Sequence, residues 1–271
     1  MAAQELLSAG RLGDAVAEQT ALVRAKPTDA DARFELAVLL CFAGELDRAT
    51  AQLDTLALQK PELAVGTSHY RALIVAEAER RAVHERGGAP LLPPDCPAHV
   101  ESRLEALHAL RAGESERAAA ALARAESGAP ALEGKIDGAR FDDLRDHDDV
   151  LGPVLEIYAG GHYLWLPLER VRRLELAAPA RRIDLLWPSA RLEDTSGAEA
   201  NVHLPALYVG SHAASDGRLQ LGQMTDWRDD QGVAFRGVGQ KVLLARRGSH
   251  ERELGLLELR DLELAARAAR G

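Results

Sequence analysis

The strongest constraint on the fold is a segment near the start of the chain, AGRLGDAVAEQTALVRAKPT (residues 9–28), whose landmarks return at residues 43–62 and 112–131. Each copy has a glycine, an alanine and a proline at the same offsets, and the first two copies are 34 residues apart. The glycine can adopt the left-handed conformation that ends a helix, the alanine lets two helices approach closely, and the proline ends the second helix. The three sets are Gly10, Ala15 and Pro27; Gly44, Ala49 and Pro61; and Gly113, Ala118 and Pro130. This spacing predicts pairs of helices that stack along the chain.

A period of 34 residues is that of the tetratricopeptide helix–turn–helix repeat. Between the second and third copies the period is kept without the motif, since residues 66–88 are predicted to form one long helix that ends at a Gly-Gly pair. A Pro-rich connector over residues 89–99 and a helix over residues 100–113 lead into the third copy. Residues 1 to about 130 are thus predicted to form a short, degenerate helical solenoid. The alternative is an ordinary helical bundle whose similarity to the repeat arose by chance.

The local composition of the sequence changes near residue 135. Short apolar stretches with β-branched and aromatic residues and prolines replace the Ala-rich runs, which is typical of strands. These stretches cover residues 162–169, 171–177, 181–193, 200–210, 218–224, 233–246 and 253–264. We predict a short helix within residues 141–161 and a helical turn in the tail, residues 263–271. The predicted fold class is α+β, with a TPR-like α-helical repeat domain over residues 1–134 and a mainly β domain over residues 135–271.

The charge and composition exclude several classes of partner. The net charge is −9, whereas proteins that mainly bind nucleic acid or anionic membranes carry an excess of Lys and Arg. No apolar run approaches the ~20 residues that a membrane helix needs, and the N-terminal MAAQELLSAG lacks the regions of a signal peptide. Cys41 lies in an apolar run and Cys96 in a Pro-rich one, so they form no disulfide framework. We therefore expect a cytoplasmic protein with no nucleic-acid and no membrane partner.

Three segments resemble nucleotide- or metal-binding motifs, but none has the residue spacing that such a motif requires. RGVGQKV (residues 236–242) lacks the glycine spacing and the Ser or Thr of a P-loop, and its two glycines are expected to mark a β-bulge. FDDLRDHDDVLG (residues 141–152) gathers aspartates around His147, where helix capping and solvation are preferred over a metal site that would need further ligands. TDWRDDQG (residues 225–232) lacks calcium-loop spacing and is interpreted as a turn. The sequence predicts no catalytic, cofactor-binding or metal-binding residue, and no cofactor.

Five segments of the second half carry a resemblance to a known family. They are LGPVLEIYAGGHYLWLPLERV (residues 151–171), IDLLWPSARLED (183–194), HLPALYVGS (203–211), LQLGQMTDW (219–227) and FRGVGQKVLL (235–244). In order and spacing they are similar to the ImpE/SciE family, accessory proteins of bacterial type VI secretion clusters that are also called the TagJ type. The Ala-rich helical first half matches the family in kind, so the resemblance covers almost the whole chain.

The resemblance implies an adaptor with no reaction of its own. Members of this family are thought to bind the N-terminal helix of the small subunit of the contractile sheath, and are linked to sheath handling by the AAA+ ATPase that recycles it. It implies no cofactor and no catalytic residue. Two alternatives stay open: a generic repeat scaffold with another protein partner, and a metal- or nucleotide-dependent enzyme in the second domain.

Two surfaces are candidates for holding a partner helix, and the sequence does not decide between them or the oligomeric state. One is the concave groove of a solenoid. The other is a surface of the second domain, where the scarce aromatic residues concentrate. Trp187 is expected in the core, whereas Tyr208 and Trp227 stand beside loop-like residues and are expected to be more exposed. Three arginines there could contact acidic residues of a partner helix or simply solvate the surface. The tentative partner-binding set is Trp187, Arg191, Tyr208, Trp227, Arg228 and Arg236.

Overall fold

The computed structural model describes residues 3–265. Within these residues the first half contains seven helices: α1 Ala3–Ser8, α2 Leu12–Ala25, α3 Ala30–Phe42, α4 Leu46–Gln59, α5 Ala64–Arg81, α6 Ala98–Ala112 and α7 Ser115–Gly128. Helices α1–α2, α3–α4 and α6–α7 form three pairs, and α5 follows the second pair and packs against α4. A π-helical turn at Ala82–Arg86 prolongs α5 and ends at Gly87, where φ is +85°. The long helix predicted over residues 66–88 is therefore confirmed.

The repeated glycines and alanines occupy the positions that the sequence predicts for them. Gly10, Gly44 and Gly113 each follow the first helix of a pair, with φ of +69°, +79° and +76°. The three alanines are completely buried where the second helix packs on the first; they are Ala15, Ala49 and Ala118. A side chain larger than methyl at these positions would separate the helices, so the repeat depends on small residues there. The helix-pair prediction is confirmed.

The second half is built mainly from antiparallel strands, as predicted. The strands are β1 Gly134–Ile136, β2 Ala139–Phe141, β3 Asp143–Asp146, β4 Val154–Ala159, β5 His162–Pro167, β6 Val171–Leu176, β7 Ser189–Asp194, β8 Glu199–His203, β9 Thr225–Asp230, β10 Ala234–Gly239, β11 Val242–Arg247, β12 His250–Gly255 and β13 Asp261–Leu264. One sheet has the order β2-β1-β13-β6-β7-β8-β4-β5, a second has the order β12-β11-β3, and β9 pairs only with β10. A core of mainly leucine side chains joins the first two sheets. The overall class is α+β.

Three local predictions for the second half are wrong. Residues 141–161 form β3 and β4 and no helix; the buried stretch Val154–Tyr158 lies inside the protein on both faces and so lacks the alternation that marks a half-exposed strand. Residues 218–224 begin in a short helix, α8 Gly217–Gln220, whose first turn is capped by the Asp216 carboxylate. The segment interpreted as a turn, residues 225–232, contains β9.

The change from helices to strands falls near the predicted boundary between the two domains. The helices end at Gly128 and the strands begin at Gly134, close to the predicted boundary at residue 134. Whether each half is a domain that folds alone stays a prediction. Of the helical turn predicted over residues 263–271, residues 263 and 264 belong to β13, and residues 266–271 lie outside the described part of the chain.

The connector between α5 and α6 covers an edge of the large sheet. Leu91 donates its backbone N–H to the carbonyl of Tyr163 and accepts from the N–H of Trp165, at 3.0 Å each. Both partners belong to β5, the last strand in the sheet order. Backbone groups at the edge of a sheet are otherwise free to pair with another chain. The Pro-rich connector therefore satisfies part of this edge from within the molecule.

The first helix of each pair faces the β half, and this inner helical face is covered. Nine of the 13 residues of α3 are buried, against three of the 14 residues of α4. Cys41 and Phe42 at the end of α3 line a cavity of about 30 Å³ together with Leu186 and Trp187 of the β half. Side chains of both halves belong to one continuous hydrophobic core. The expectation of an open groove on this face is wrong, because residues of the chain itself fill it.

Polar contacts fix this interface at several points. The Arg182 guanidinium donates to the Glu35 carboxylate of α3 at 2.5 Å. The Gln223 side chain donates to the carbonyl of Leu7 in α1 at 2.9 Å. Gly44 leaves room for the ring of His212, since a Cβ there would lie 2.3 Å from that ring. The turns and inner helices of the repeat are thus bound along residues 182–223.

A buried ionic network joins α5 to the β half. The Arg80 guanidinium contacts the Glu156 carboxylate at 2.9 Å and donates to the carbonyl of Leu207 at 2.7 Å. The Lys241 ammonium contacts Glu156 at 2.5 Å and Asp146 at 3.0 Å. Burial alone would raise the pKa of Glu156, but Arg80 and Lys241 outweigh burial and hold that pKa well below its usual value. The carboxylate is therefore ionised and shared by both halves of the molecule.

We expect Glu156→Gln to destabilise the protein by about 3 kcal/mol, because it leaves Arg80 and Lys241 buried without their shared counter-charge. Urea unfolding at neutral pH measures the loss. The matched control is Glu199→Gln, which removes an exposed carboxylate paired with Arg191 and should cost at most about 1 kcal/mol. Equal losses in the two variants would contradict a central role for the network.

Two histidines meet where α5 crosses β8. The rings of His69 and His203 have centroids 4.8 Å apart. Burial, and then the neighbouring His69, lower the pKa of His203 to about 4. In an unfolded chain a histidine titrates near ~6.5. Between these two pKa values the unfolded chain binds the proton more readily, so the free energy of unfolding falls as the pH falls.

We expect the urea midpoint to drop between pH 7 and pH 5, and the drop to shrink in His203→Asn, which has no proton to bind in that range. The comparison stops at pH 5 because carboxylates of the network begin to contribute below it. His162→Asn is the control, since this side chain is 58% exposed. An unchanged drop in His203→Asn would show that this histidine is not responsible.

Candidate partner-binding site

The β9–β10 hairpin carries an exposed aromatic face. In its register Trp227 pairs with Gly237, and Asp229 pairs with Phe235. Since side chains alternate along a strand and directly opposed residues share a face, Trp227 and Phe235 lie on the same side of the hairpin. The Phe235 side chain is 61% exposed. The Trp227 ring is half-buried, with its centroid 4.4 Å from that of His147. We call Trp227, Phe235 and His147 the aromatic patch.

The base beneath the aromatic patch is rigid. Tyr208 is 5.8 Å from Trp227 between ring centroids, and its ring lies so close to Gly237 that a Cβ there would come within 2.2 Å. The Tyr208 hydroxyl donates to Asp146 at 2.8 Å and accepts from the N–H of Val242 at 3.1 Å. A glycine is therefore required at position 237 by close packing, and the expected β-bulge is not its reason.

The opposite face of the hairpin is anchored by a buried arginine. Arg236 is 6% exposed, and its Nε donates to both oxygens of Asp148 at 2.9 and 2.8 Å. A second acid, Asp230, lies 3.7 Å from the Arg236 guanidinium. Arg228 is opposed to Arg236 in the register and lines a cavity of about 220 Å³ with Arg111. The hairpin is thus held to the body of the protein by ion pairing on one face. On the other face Tyr208 packs against Gly237 and Trp227, and Phe235 is left exposed.

Four of the six residues predicted to bind a partner meet at this hairpin: Tyr208, Trp227, Arg228 and Arg236. The other two lie elsewhere. Trp187 is buried against Tyr158, with ring centroids 6.5 Å apart, as expected for a core residue. Arg191 is exposed and paired with Glu199 at 2.7 Å.

The expected surface position is wrong for two of these residues. Tyr208 is 3% exposed, because its hydroxyl and ring are both used to support the hairpin. Arg236 is buried because it neutralises Asp148. Neither residue can touch a partner without rearrangement. Partner binding by Arg191, Trp227 and Arg228 stays a prediction.

Sequence reasoning missed Phe235, the most exposed aromatic side chain of the hairpin. In VAFRGVG the ordinary rule places the phenylalanine inside and the arginine outside. In the structure Phe235 is exposed and Arg236 is buried, because the buried carboxylate of Asp148 is paired with Arg236. The acidic run that supplies Asp148 was the signal that could have shown this reversal.

The acidic run around His147 is structural. Asp143, Asp146 and Asp148 are buried and paired with Arg145, Lys241 and Arg236 respectively. The interpretation as helix caps and solvated carboxylates is therefore wrong for these three. Across residues 3–265 no three His, Cys, Asp or Glu side chains are placed so that they could hold a metal ion. Cys41 is buried as predicted, and burial raises the pKa of its thiol. In the same residues no helix is long and apolar enough to cross a membrane.

Fold and site together define a class: a helix-pair repeat whose inner face is covered by an antiparallel β half that presents an aromatic hairpin. Residues 6–74 match the tetratricopeptide repeat family model, and residues 138–263 match the model described as ImpE protein. The chain is 35% identical over 263 residues to the type VI secretion system accessory component TagJ of Pseudomonas aeruginosa, which covers 97% of this chain and 91% of that protein. The chain belongs to the ImpE family, and the resemblance found in the sequence is confirmed.

The fold recurs in a solved structure. A crystal structure of a Vibrio parahaemolyticus protein matches 99% of this chain and 99% of its own, with a TM-score of 0.90 and 24% identity. The arrangement of repeat and β half is therefore the same in that protein.

Proposed function

We propose that this chain is a non-catalytic adaptor of a type VI secretion system that acts in the cytoplasm. It binds the N-terminal helix of the sheath small subunit and assists sheath handling by the AAA+ ATPase. Membership of the ImpE family, and the name of the Pseudomonas aeruginosa relative, support the accessory role. The observation that carries the binding role is the exposed Phe235 beside Trp227 on a rigid hairpin.

The aromatic patch is a more suitable binding site for a partner helix than the inner face of the repeat. The inner face of the repeat is filled by the β half, so a partner helix would have to displace a hydrophobic core to enter it. The patch is open, and its ordered base means that little conformational entropy is lost on binding. An amphipathic helix binds by placing apolar side chains from successive turns on such a surface. Aromatic side chains are also the residues on which interfaces most often depend.

The charges around the patch specify the partner further. Asp229 opposes Phe235 in the hairpin, and Glu253 lies 3.4 Å from His147. A helix that binds here should therefore carry Lys or Arg beside its apolar stripe, and its affinity should fall as salt is added. Binding at micromolar strength, about −8 kcal/mol, would allow both capture and release.

Anisotropy titration of a labelled peptide from the N-terminal helix of the cognate sheath small subunit tests the proposal on the full chain. We expect saturable binding, and a loss of about 2 kcal/mol, or roughly thirtyfold in Kd, for Phe235→Ala. Phe235 is mostly exposed, so this variant should fold normally. Val65→Ala is the matched control, since it removes an apolar side chain that is 85% exposed on α5.

Two results would count against the proposal. No binding of the peptide up to about millimolar concentration would exclude the sheath helix as the partner and favour a repeat scaffold with another protein. Binding that Phe235→Ala and Val65→Ala leave equally intact would keep the partner but exclude the aromatic patch as its site.

A further inference from the structure

A groove between two hairpins of the β half has an apolar floor. It lies between the β1–β2 hairpin and the β11–β12 hairpin and encloses about 180 Å³. Its floor includes Ile136, Phe141 and Leu254, each at most 4% exposed. A second depression of about 410 Å³ shares Arg140, Phe141 and Arg247 with the first, but three acids also line it, namely Glu133, Asp142 and Glu263. The basic surface is therefore the first groove, between the two hairpins.

The walls of this groove carry unpaired positive charge. Arg247 opposes His250 in the β11–β12 register, and Arg252 opposes Ala245. Alternation places Arg247, His250 and Arg252 on the face of the hairpin that lines the groove. Arg140 faces them from β2. Within residues 3–265, none of the three arginines forms an ion pair or donates a side-chain hydrogen bond.

One acid, Glu251, also lines this groove, and it is paired with Arg246 at 2.9 Å. On the opposite face of the hairpin Glu253 lies beside His147. The lining of the groove therefore holds one neutralised acid and the three unpaired arginines. Like charges that share a groove repel each other and raise the local potential, which attracts an anionic ligand. This concentration of positive charge is notable in a chain with a net charge of −9.

We propose that this groove binds an acidic segment of a partner protein. The segment places an apolar side chain on the floor formed by Ile136, Phe141 and Leu254, and carboxylates against Arg140, Arg247 and Arg252. Arginine pairs with carboxylates through two parallel hydrogen bonds, which fixes the position of the segment as well as adding binding energy. The apolar floor favours a peptide over nucleic acid, and the acidic remainder of the chain repels a long phosphate backbone.

This site is independent of the proposed sheath role. The aromatic patch meets the β11–β12 hairpin through Glu253, on the face opposite the groove. The two surfaces also require partners of opposite charge, since the patch is bordered by carboxylates and the groove by arginines. One partner segment cannot satisfy both.

The test uses the full chain and a short fluorescein-labelled peptide composed of Glu, Leu and Ser. The comparison probes are the same peptide with each Glu replaced by Lys, and single-stranded DNA of equal length. We expect saturable binding of the acidic peptide alone, weakening as salt is added. The double variant Arg247→Glu/Arg252→Glu should bind it about tenfold more weakly. The control Arg24→Glu/Arg86→Glu changes the net charge by the same amount at exposed helical positions and should bind as the unaltered chain does.

Three outcomes overturn the proposal: no binding of the acidic peptide, equal weakening in the two double variants, or binding of the DNA at least as tight as that of the peptide. The last would assign the groove to phosphate groups. If the groove double variant unfolds, Arg252→Gln alone decides, because it removes one exposed charge without introducing another. These results are separate from the sheath-peptide titration, so either proposal can fail alone.

Discussion

Glu156 is the residue on which the assembly of this molecule depends, because cations from both halves of the chain pair with its carboxylate. Arg80 reaches it from α5, and Lys241 reaches it from the segment between β10 and β11. Lys241 also pairs with Asp146, and Asp146 accepts a hydrogen bond from the Tyr208 hydroxyl, which lies against the β9–β10 hairpin. A buried charge without a partner is costly, so these groups can be satisfied only when both halves are in place. The contacts that join the two halves of the chain therefore also support the β9–β10 hairpin through Tyr208.

The repeat in this protein is a support for the β half and has no open inner face. Helix pairs of this kind bury their apolar faces between neighbours and commonly leave one face for a partner. Here residues 182–223 of the same chain take that place, through contacts such as Arg182 with Glu35 and Gln223 with Leu7. The surfaces proposed here for partners consequently lie on the β half, where a hairpin and a groove remain uncovered. The chain keeps the sequence signature of a recognition repeat although its inner helical face is filled by the chain itself.

The sequence predicts what depends on neighbours along the chain and fails where distant residues decide. The turns at Gly10, Gly44 and Gly113 were predictable, since a left-handed residue after a helix is a local requirement. β4 was missed because both of its faces are buried, which removes the alternation that identifies a strand. Phe235 was missed and Arg236 was misplaced because a buried Asp148, 88 residues away in the chain, reverses the inside and outside of β10. Four of the six predicted site residues still meet at one hairpin, and whether they bind a partner stays a prediction.

The covered inner helical face has a consequence for biosynthesis. The N-terminal half leaves the ribosome first. At that stage α3 and α5 carry apolar side chains without their partners, and Arg80 of α5 lacks Glu156, which has not yet been made. Nascent domains generally fold in order of emergence, but this half cannot complete its surface until residues 182–241 have also been translated. During that interval the apolar faces of these helices are exposed to other chains, and exposed apolar surface of this kind favours aggregation. The time taken to translate the second half adds to the time for which these faces stay uncovered.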